Sequence, residues 1–125
     1  MARYLCVLLG GGVGSLARYL LGKAIVRHFP NQYFAVGTFI VNVTGSFFIG
    51  LLMTLLTERL RLPDYWRLLL VVGMLGGYTT FSSFEYDAYL MARSHHHVTT
   101  LLYLVSSVLL GYAAVWLGAS AIPKQ

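Results

Sequence analysis

Between Gly73 and Phe84 the chain reads Gly-Met-Leu-Gly-Gly-Tyr-Thr-Thr-Phe-Ser-Ser-Phe, inside an apolar run long enough to cross a bilayer. Paired Gly76 and Gly77 have poor helix propensity, and the hydroxyls of Thr79, Thr80, Ser82 and Ser83 compete with the backbone ladder. This composition predicts a membrane helix that unwinds near its middle. Unwound backbone at that depth is tolerated only where protein buries it or where it lines a wet cavity, and broken helices present carbonyls and helix ends to ions. The chemistry on offer is ion binding or ion passage. A packing kink is the competing reading, because glycines also let helices approach closely. Four hydroxyls beside Phe81 and Phe84 are more than close approach requires.

Two other segments carry polar groups in apolar surroundings. Thr38, Asn42 and Ser46 recur every four residues and so share one helical face. The Asn42 amide offers two donors that can approach an anion or seal an interhelical contact, and both roles stay open. Gly37, Gly45 and Gly50 add close-approach surfaces to the same helix. Near the C-terminus Tyr103 and Ser107 repeat the four-residue spacing, Gly111 continues their face and Ser106 turns elsewhere. Any one of these hydroxyls can bond back to its own helix. Together, the three polar faces can form a narrow passage of neutral donors, which suits conduction of an anion better than its tight capture. Phe81 and Phe84, three residues apart, read either as core packing or as rings whose positive edges meet a small anion.

Charged residues are few. Arg18 falls near the end of the first apolar run, on the side that Glu85 and Asp87 also reach. It can pair with one of them or snorkel to the interface. Intramembrane carboxylates often couple transport to protons, but Glu85 and Asp87 stand near a helix end. His95, His96 and His97 lie in a loop with Arg93 and Ser94 and read as a solvated turn rather than a metal site. The chain has no phosphate loop, no His/Cys set at metal spacing and no convincing nucleophile and base pair, so an enzyme is not expected.

The elements that must position these groups follow from composition. With 58% hydrophobic and 10% charged residues among 125, the chain falls outside the range of soluble domains and belongs in a membrane. Four apolar runs, Tyr4 to Ile25, Tyr33 to Thr57, Trp66 to Met91 and Val98 to Ile122, each approach the ~20 residues that span ~30 Å of hydrocarbon. The expectation is one four-helix transmembrane domain over residues 1–125, all-α, with the third helix broken. Arg3 and the Ser15-Leu16-Ala17 site imitate a signal peptide, but Gly10 and Gly14 have the spacing of a helix-packing face, and the segment is read as the first span. Lone Cys6 permits no internal disulfide. The formal charge of +5 is scattered between helix ends, which speaks for interfacial anchoring and against nucleic acid. Arg3, Arg59, Arg61, Arg67 and Lys124 fall on one side, and Arg18, Lys23, Arg27 and Arg93 on the other. So even a division gives almost no preferred orientation, and insertion both ways is open.

Three segments in order carry a resemblance: Gly10-Gly-Gly-Val-Gly-Ser-Leu-Ala-Arg18-Tyr, Gly37-Thr-Phe-Ile-Val-Asn42-Val-Thr-Gly45 and Gly76-Gly-Tyr-Thr79-Thr-Phe81-Ser-Ser-Phe84. With them the chain resembles the Fluc-type fluoride channels, also called the CrcB-like family, along nearly its whole length. The resemblance implies an antiparallel, dual-topology homodimer in the bacterial inner membrane that passively exports fluoride. It implies a structural sodium ion at the dimer centre, held by backbone oxygens of Gly76 and Thr79. It also implies a fluoride pathway of Asn42, Phe81, Phe84, Ser82, Ser83, Thr38, Tyr103 and Ser107, with Arg18, Gly10 and Gly14 in structural roles. The fourth helix has no compact signature, and Gly111 stands where a further hydroxyl would extend the track. The rival class is a small proton-coupled multidrug exporter, another short four-helix dimer, which needs a carboxylate deep in a helix.

Overall fold

A computed structural model of the chain describes residues 1–29 and 34–123. Tyr33, at the start of the second apolar run, and Lys124, from the charge count, lie outside the described residues. Helix α1 is Ala2–His28 and α2 is Val36–Arg59. The third span, Asp64–Arg93, comprises α3 over residues 64–78 and α4 over Phe81–Arg93, and α5 is His97–Ser120. No strand occurs among the described residues. Two stretches widen from α-helical to π-helical hydrogen bonding, Thr54–Arg59 at the end of α2 and Arg67–Leu75 within α3. They flank the short connection at residues 60–63, where Arg61 takes a left-handed φ of 48° and Pro63 precedes α3. Arg67 Nε donates to Asp64 Oδ1 at 2.8 Å across the first turn of α3, fastening the helix start at the interface. His95, with φ 63°, turns the chain between α4 and α5.

The four spans are long and apolar enough to cross a membrane, and most of their apolar surface faces outward. Tyr103 and Val41 are the largest side chains that the chain buries completely, whereas Leu8, Leu16, Leu102, Val108 and Trp116 are exposed. This is the reverse of a soluble fold, and lipid is the solvent such a surface fits.

Glycine seams draw the helices together in pairs. On α1, a Cβ at Gly10 would run into the Leu69 carbonyl oxygen, and one at Gly14 into the Met74 carbonyl oxygen, so α1 and α3 meet backbone to backbone. Gly77 meets the Gly11 backbone in the same way. A second seam joins α2 to α5, where Gly50 abuts the Val115 carbonyl and Gly118 the Phe47 carbonyl. Without a hydrophobic driving force between helices in lipid, close van der Waals approach of this kind supplies much of the association energy.

Candidate functional site

The site grows from two residues. Thr79 (ψ 157°) and Thr80 (φ −151°, ψ 122°) are extended, between the last helical turn of α3 and the first of α4. Thr80 is the N-cap of α4: its Oγ1 accepts from the Ser83 N–H at 3.2 Å and its hydroxyl donates to Ser83 Oγ at 3.0 Å. A threonine in β conformation with its oxygen on the third residue ahead is how a new helix starts, so the chain leaves one helix and begins another within two residues.

Extended backbone at this depth needs partners, and Asn42 of α2 supplies them. Its Nδ2 donates to the Thr80 carbonyl at 2.9 Å, and its Oδ1 accepts from the Thr80 N–H at 2.8 Å. The amide thus pairs with Thr80 as a neighbouring strand would, sealing an interhelical contact. One N–H and one acceptor site of the amide remain for another partner.

This arrangement diverts two donors. The Thr80 N–H would close a helical turn on the Gly76 carbonyl but goes to Asn42, and the Ser83 N–H would serve the Thr79 carbonyl but goes to Thr80 Oγ1. The Gly76 and Thr79 carbonyls therefore both lose their ordinary helical donors. Close by, Ser15 Oγ donates to the Gly77 carbonyl at 3.4 Å, and the Thr79 hydroxyl donates to the Leu75 carbonyl at 2.9 Å.

A groove of about 300 Å³ opens over the interruption, lined on its polar side by Asn42, Ser46, Thr79, Thr80 and Ser107 and on its apolar side by Phe81 and Phe84 among others. The two rings sit 5.9 Å apart and tilted by 45°, but their surroundings differ. Phe84 is 6% exposed and packs on Tyr103, whose ring centroid is 5.2 Å away, whereas Phe81 is 74% exposed. Tyr103 is 0% exposed, its hydroxyl lies beside Thr38 and Asp87, and neither it nor the Ser107 hydroxyl makes a well-formed hydrogen bond. An unpaired buried hydroxyl costs roughly 1–3 kcal/mol, so two on one helix face mark a place where a missing polar partner belongs.

A second cavity, of about 450 Å³, lies on the other side of Thr80, where its polar wall is Arg18, Thr38, Thr80, Ser83 and Asp87. The Thr38 hydroxyl donates to Asp87 Oδ2 at 2.6 Å, a charge-assisted bond joining α2 to α4. Arg18 shares the cavity with Asp87 but does not pair with it, and Glu85 is exposed; among the described residues Arg67–Asp64 is the ion pair. Asn42, Phe81, Phe84 and Ser107 thus meet at one cavity, and Thr38 and Ser83 at the other, with Thr80 lining both. Tyr103 is wedged between Phe34 and Phe84, while Ser82 is exposed and lines neither cavity. Gly111 faces Ser46 across the helix pair, 3.6 Å from its Oγ to where a Cβ would stand. The His95 and His97 rings meet edge to face at 6.0 Å, and no cluster of three metal-binding side chains occurs among the described residues.

Sequence reading missed three features: the capping role of Thr80, the use of Asp87 by Thr38, and a hydrogen bond between Thr44 and Tyr78. The first has a signal, a threonine three residues before Ser83 at a helix start. The other two join residues 49 and 34 positions apart and have none.

Four apolar spans and a polar site set between them define a multi-pass helical membrane protein. The chain belongs to the CrcB-like protein, Camphor Resistance (CrcB) family, whose match runs over residues 5–119. Among similar proteins is one named "Fluoride-specific ion channel FluC" from Solibacter usitatus (strain Ellin6076), 59% identical over 117 residues, covering 94% of this chain and 95% of the relative. Proteins of the same name from Acidobacterium capsulatum and Aquifex aeolicus are 47% and 39% identical, covering 93% and 90% of this chain and 92% and 90% of their own lengths.

Proposed function

We propose that this chain is a fluoride channel, not an enzyme, that lets fluoride leave the cell passively across a bacterial cytoplasmic membrane. The observation that carries the reading is the Ser107 hydroxyl, buried without a partner on the groove wall that also holds the Asn42 amide and the Phe84 ring, with the unpartnered Tyr103 packed against that ring. A small, strongly hydrated anion needs replacement donors along its route, and neutral donors hold it weakly enough to release it. Fluoride enters cells as its neutral acid, loses the proton at the higher internal pH and is trapped. A negative-inside potential then drives the anion outward by about 2.3 kcal/mol per 100 mV, so no coupled energy source is needed.

The functional unit is an antiparallel homodimer. The groove is open to the surface and Phe81 on its wall is largely exposed, so a closed route needs a second surface, which another copy inverted in the membrane supplies. The even division of charges between the two sides supports insertion in both orientations. Within that dimer, the Gly76 and Thr79 carbonyls of each copy would hold a sodium ion. The fit is chemical: a hard cation takes oxygen ligands, and these two carbonyls have lost their helical donors to Asn42 and Thr80. Bound there, the ion supplies a fixed positive charge that favours anions nearby. The chain's own residues do the rest. Asn42 holds the interruption open, Thr80 and Ser83 start the next helix, and Phe81 and Phe84 narrow the path.

The test is efflux from liposomes containing the purified protein, read with a fluoride electrode and compared with chloride efflux at the same imposed potential. Rapid fluoride-selective efflux is expected; its absence from folded protein overturns the reading. Asp87, a half-buried carboxylate on a cavity wall, is the feature that a proton-coupled exporter would use. Under the channel reading, Asp87→Asn and Glu85→Gln retain fluoride efflux without any proton gradient; under the exporter reading, transport is abolished.

A further inference from the structure

Tyr78 and Thr44 are tied by a hydrogen bond of 2.9 Å between their hydroxyls, both residues half-buried. The Thr44 hydroxyl has one proton and directs it at the Ile40 carbonyl, 2.7 Å away, so Tyr78 is the donor of the pair. To reach Thr44 the Tyr78 ring crosses Gly45, where a Cβ would stand 3.2 Å from its Cδ1, and the Thr79 methyl fills the same hollow. On a helix of roughly 100° per residue, Asn42 lies on one flank of Gly45 and Thr44 on the other. Residues 78–80 therefore straddle α2: Thr80 is held on the first flank, Tyr78 on the second, and Thr79 is pressed between them.

We propose that Tyr78 is a positioning residue for the cation site. Its bond to Thr44 fixes the end of α3 against α2, and with the Asn42 pairing it sets the direction of the Gly76 and Thr79 carbonyls that would receive sodium. This rests on the sodium reading above. The tie is separable from packing, because Tyr78→Phe keeps the ring over Gly45 and leaves Thr44 still bonded to Ile40.

The experiment follows thermal unfolding of the full-length, detergent-purified protein, dialysed free of sodium and titrated with sodium chloride at constant ionic strength, alongside fluoride efflux at the same sodium concentrations. Wild type should gain stability with sodium. Tyr78→Phe should need roughly two- to tenfold more sodium for half the gain, the factor that one neutral hydrogen bond carries, and its efflux should fall in low sodium and recover in high. Thr44→Val should give the same shift and Thr44→Ser none, and the double variant Tyr78→Phe/Thr44→Val should be no worse than either single one. Titrations of Tyr78→Phe and Thr44→Val that superimpose on wild type overturn the proposal, as does a uniform loss of stability with no change in sodium midpoint. If wild type itself ignores sodium while still conducting fluoride, the sodium reading falls and this inference with it, but the channel reading stands.

Discussion

The two contacts made by the third span differ in kind. Against α1, Gly10 and Gly14 let backbone meet backbone along the π-helical stretch of α3, and the side-chain hydrogen bond there is the long 3.4 Å contact from Ser15 to the Gly77 carbonyl. Against α2, Asn42 meets extended backbone at Thr80 through two hydrogen bonds. The first contact needs only the absence of side chains at Gly10 and Gly14, where even a methyl group would strike backbone. The second depends on one amide in one rotamer and leaves polar groups over for a ligand. The glycine seams bring the helices together and the interruption carries the freed polar groups, which is how a membrane protein can hold unsatisfied groups without coming apart.

The largest effect should come from the seam. Gly14→Ala drives a methyl group into the Met74 carbonyl, a backbone atom that cannot move away cheaply, and overpacking of this kind costs ~1–3 kcal/mol or more. Loss of monodisperse protein on size exclusion is the expected outcome; a well-folded Gly14→Ala of normal thermal stability would erase the contrast. Asn42→Asp comes next. The carboxylate can still accept from the Thr80 N–H but cannot donate to its carbonyl, and it adds a negative charge beside the route. Losing that donor leaves a backbone group unpaired at roughly 1–3 kcal/mol, so fluoride efflux should drop by at least about tenfold while the purified protein still elutes as folded material.

The two phenylalanines sharpen the comparison further. Phe84→Ala opens a cavity beside Tyr103 and should lower both stability and flux, by less than the seam variant because lipid removes the aqueous transfer part of the loss. Phe81→Ala removes an exposed ring, so its flux should fall severalfold with little change in the stability of a single chain; equal destabilisation by the two would mean that both rings are simply core. Thr38→Val breaks the bond to Asp87 and should cost ~1.5–3 kcal/mol of helix-to-helix coupling, read as a lower unfolding midpoint with selectivity unchanged. Smallest of all, replacing His95 and His97 by alanine should leave efflux within about twofold, since both are exposed on the turn and line neither cavity.

Much of the architecture was legible because lipid imposes a simple code. Four apolar runs of spanning length needed no tertiary information to be seen, and the glycine pair at positions 10 and 14 announced a close helix contact without naming its partner. The polar residues were legible as a set but not in their roles. Asn42 read as an anion donor or an interhelical seal, and its bond to Thr80, 38 residues away, depends on where that residue came to rest. Arg18 had two acidic candidates within reach, yet Asp87 is bonded to Thr38 instead.

The sequence by itself determined that this is a four-span membrane protein with hydroxyls and glycines gathered in one stretch, because hydropathy and propensity act over neighbouring residues. Tertiary structure alone decided that Thr80 would cap a new helix under the Asn42 amide, that the Gly76 and Thr79 carbonyls would lose their helical donors, and that the Tyr103 and Ser107 hydroxyls would be buried without partners. A hydrogen bond between distant residues is fixed by the packing of whole helices, and no local pattern contains that information.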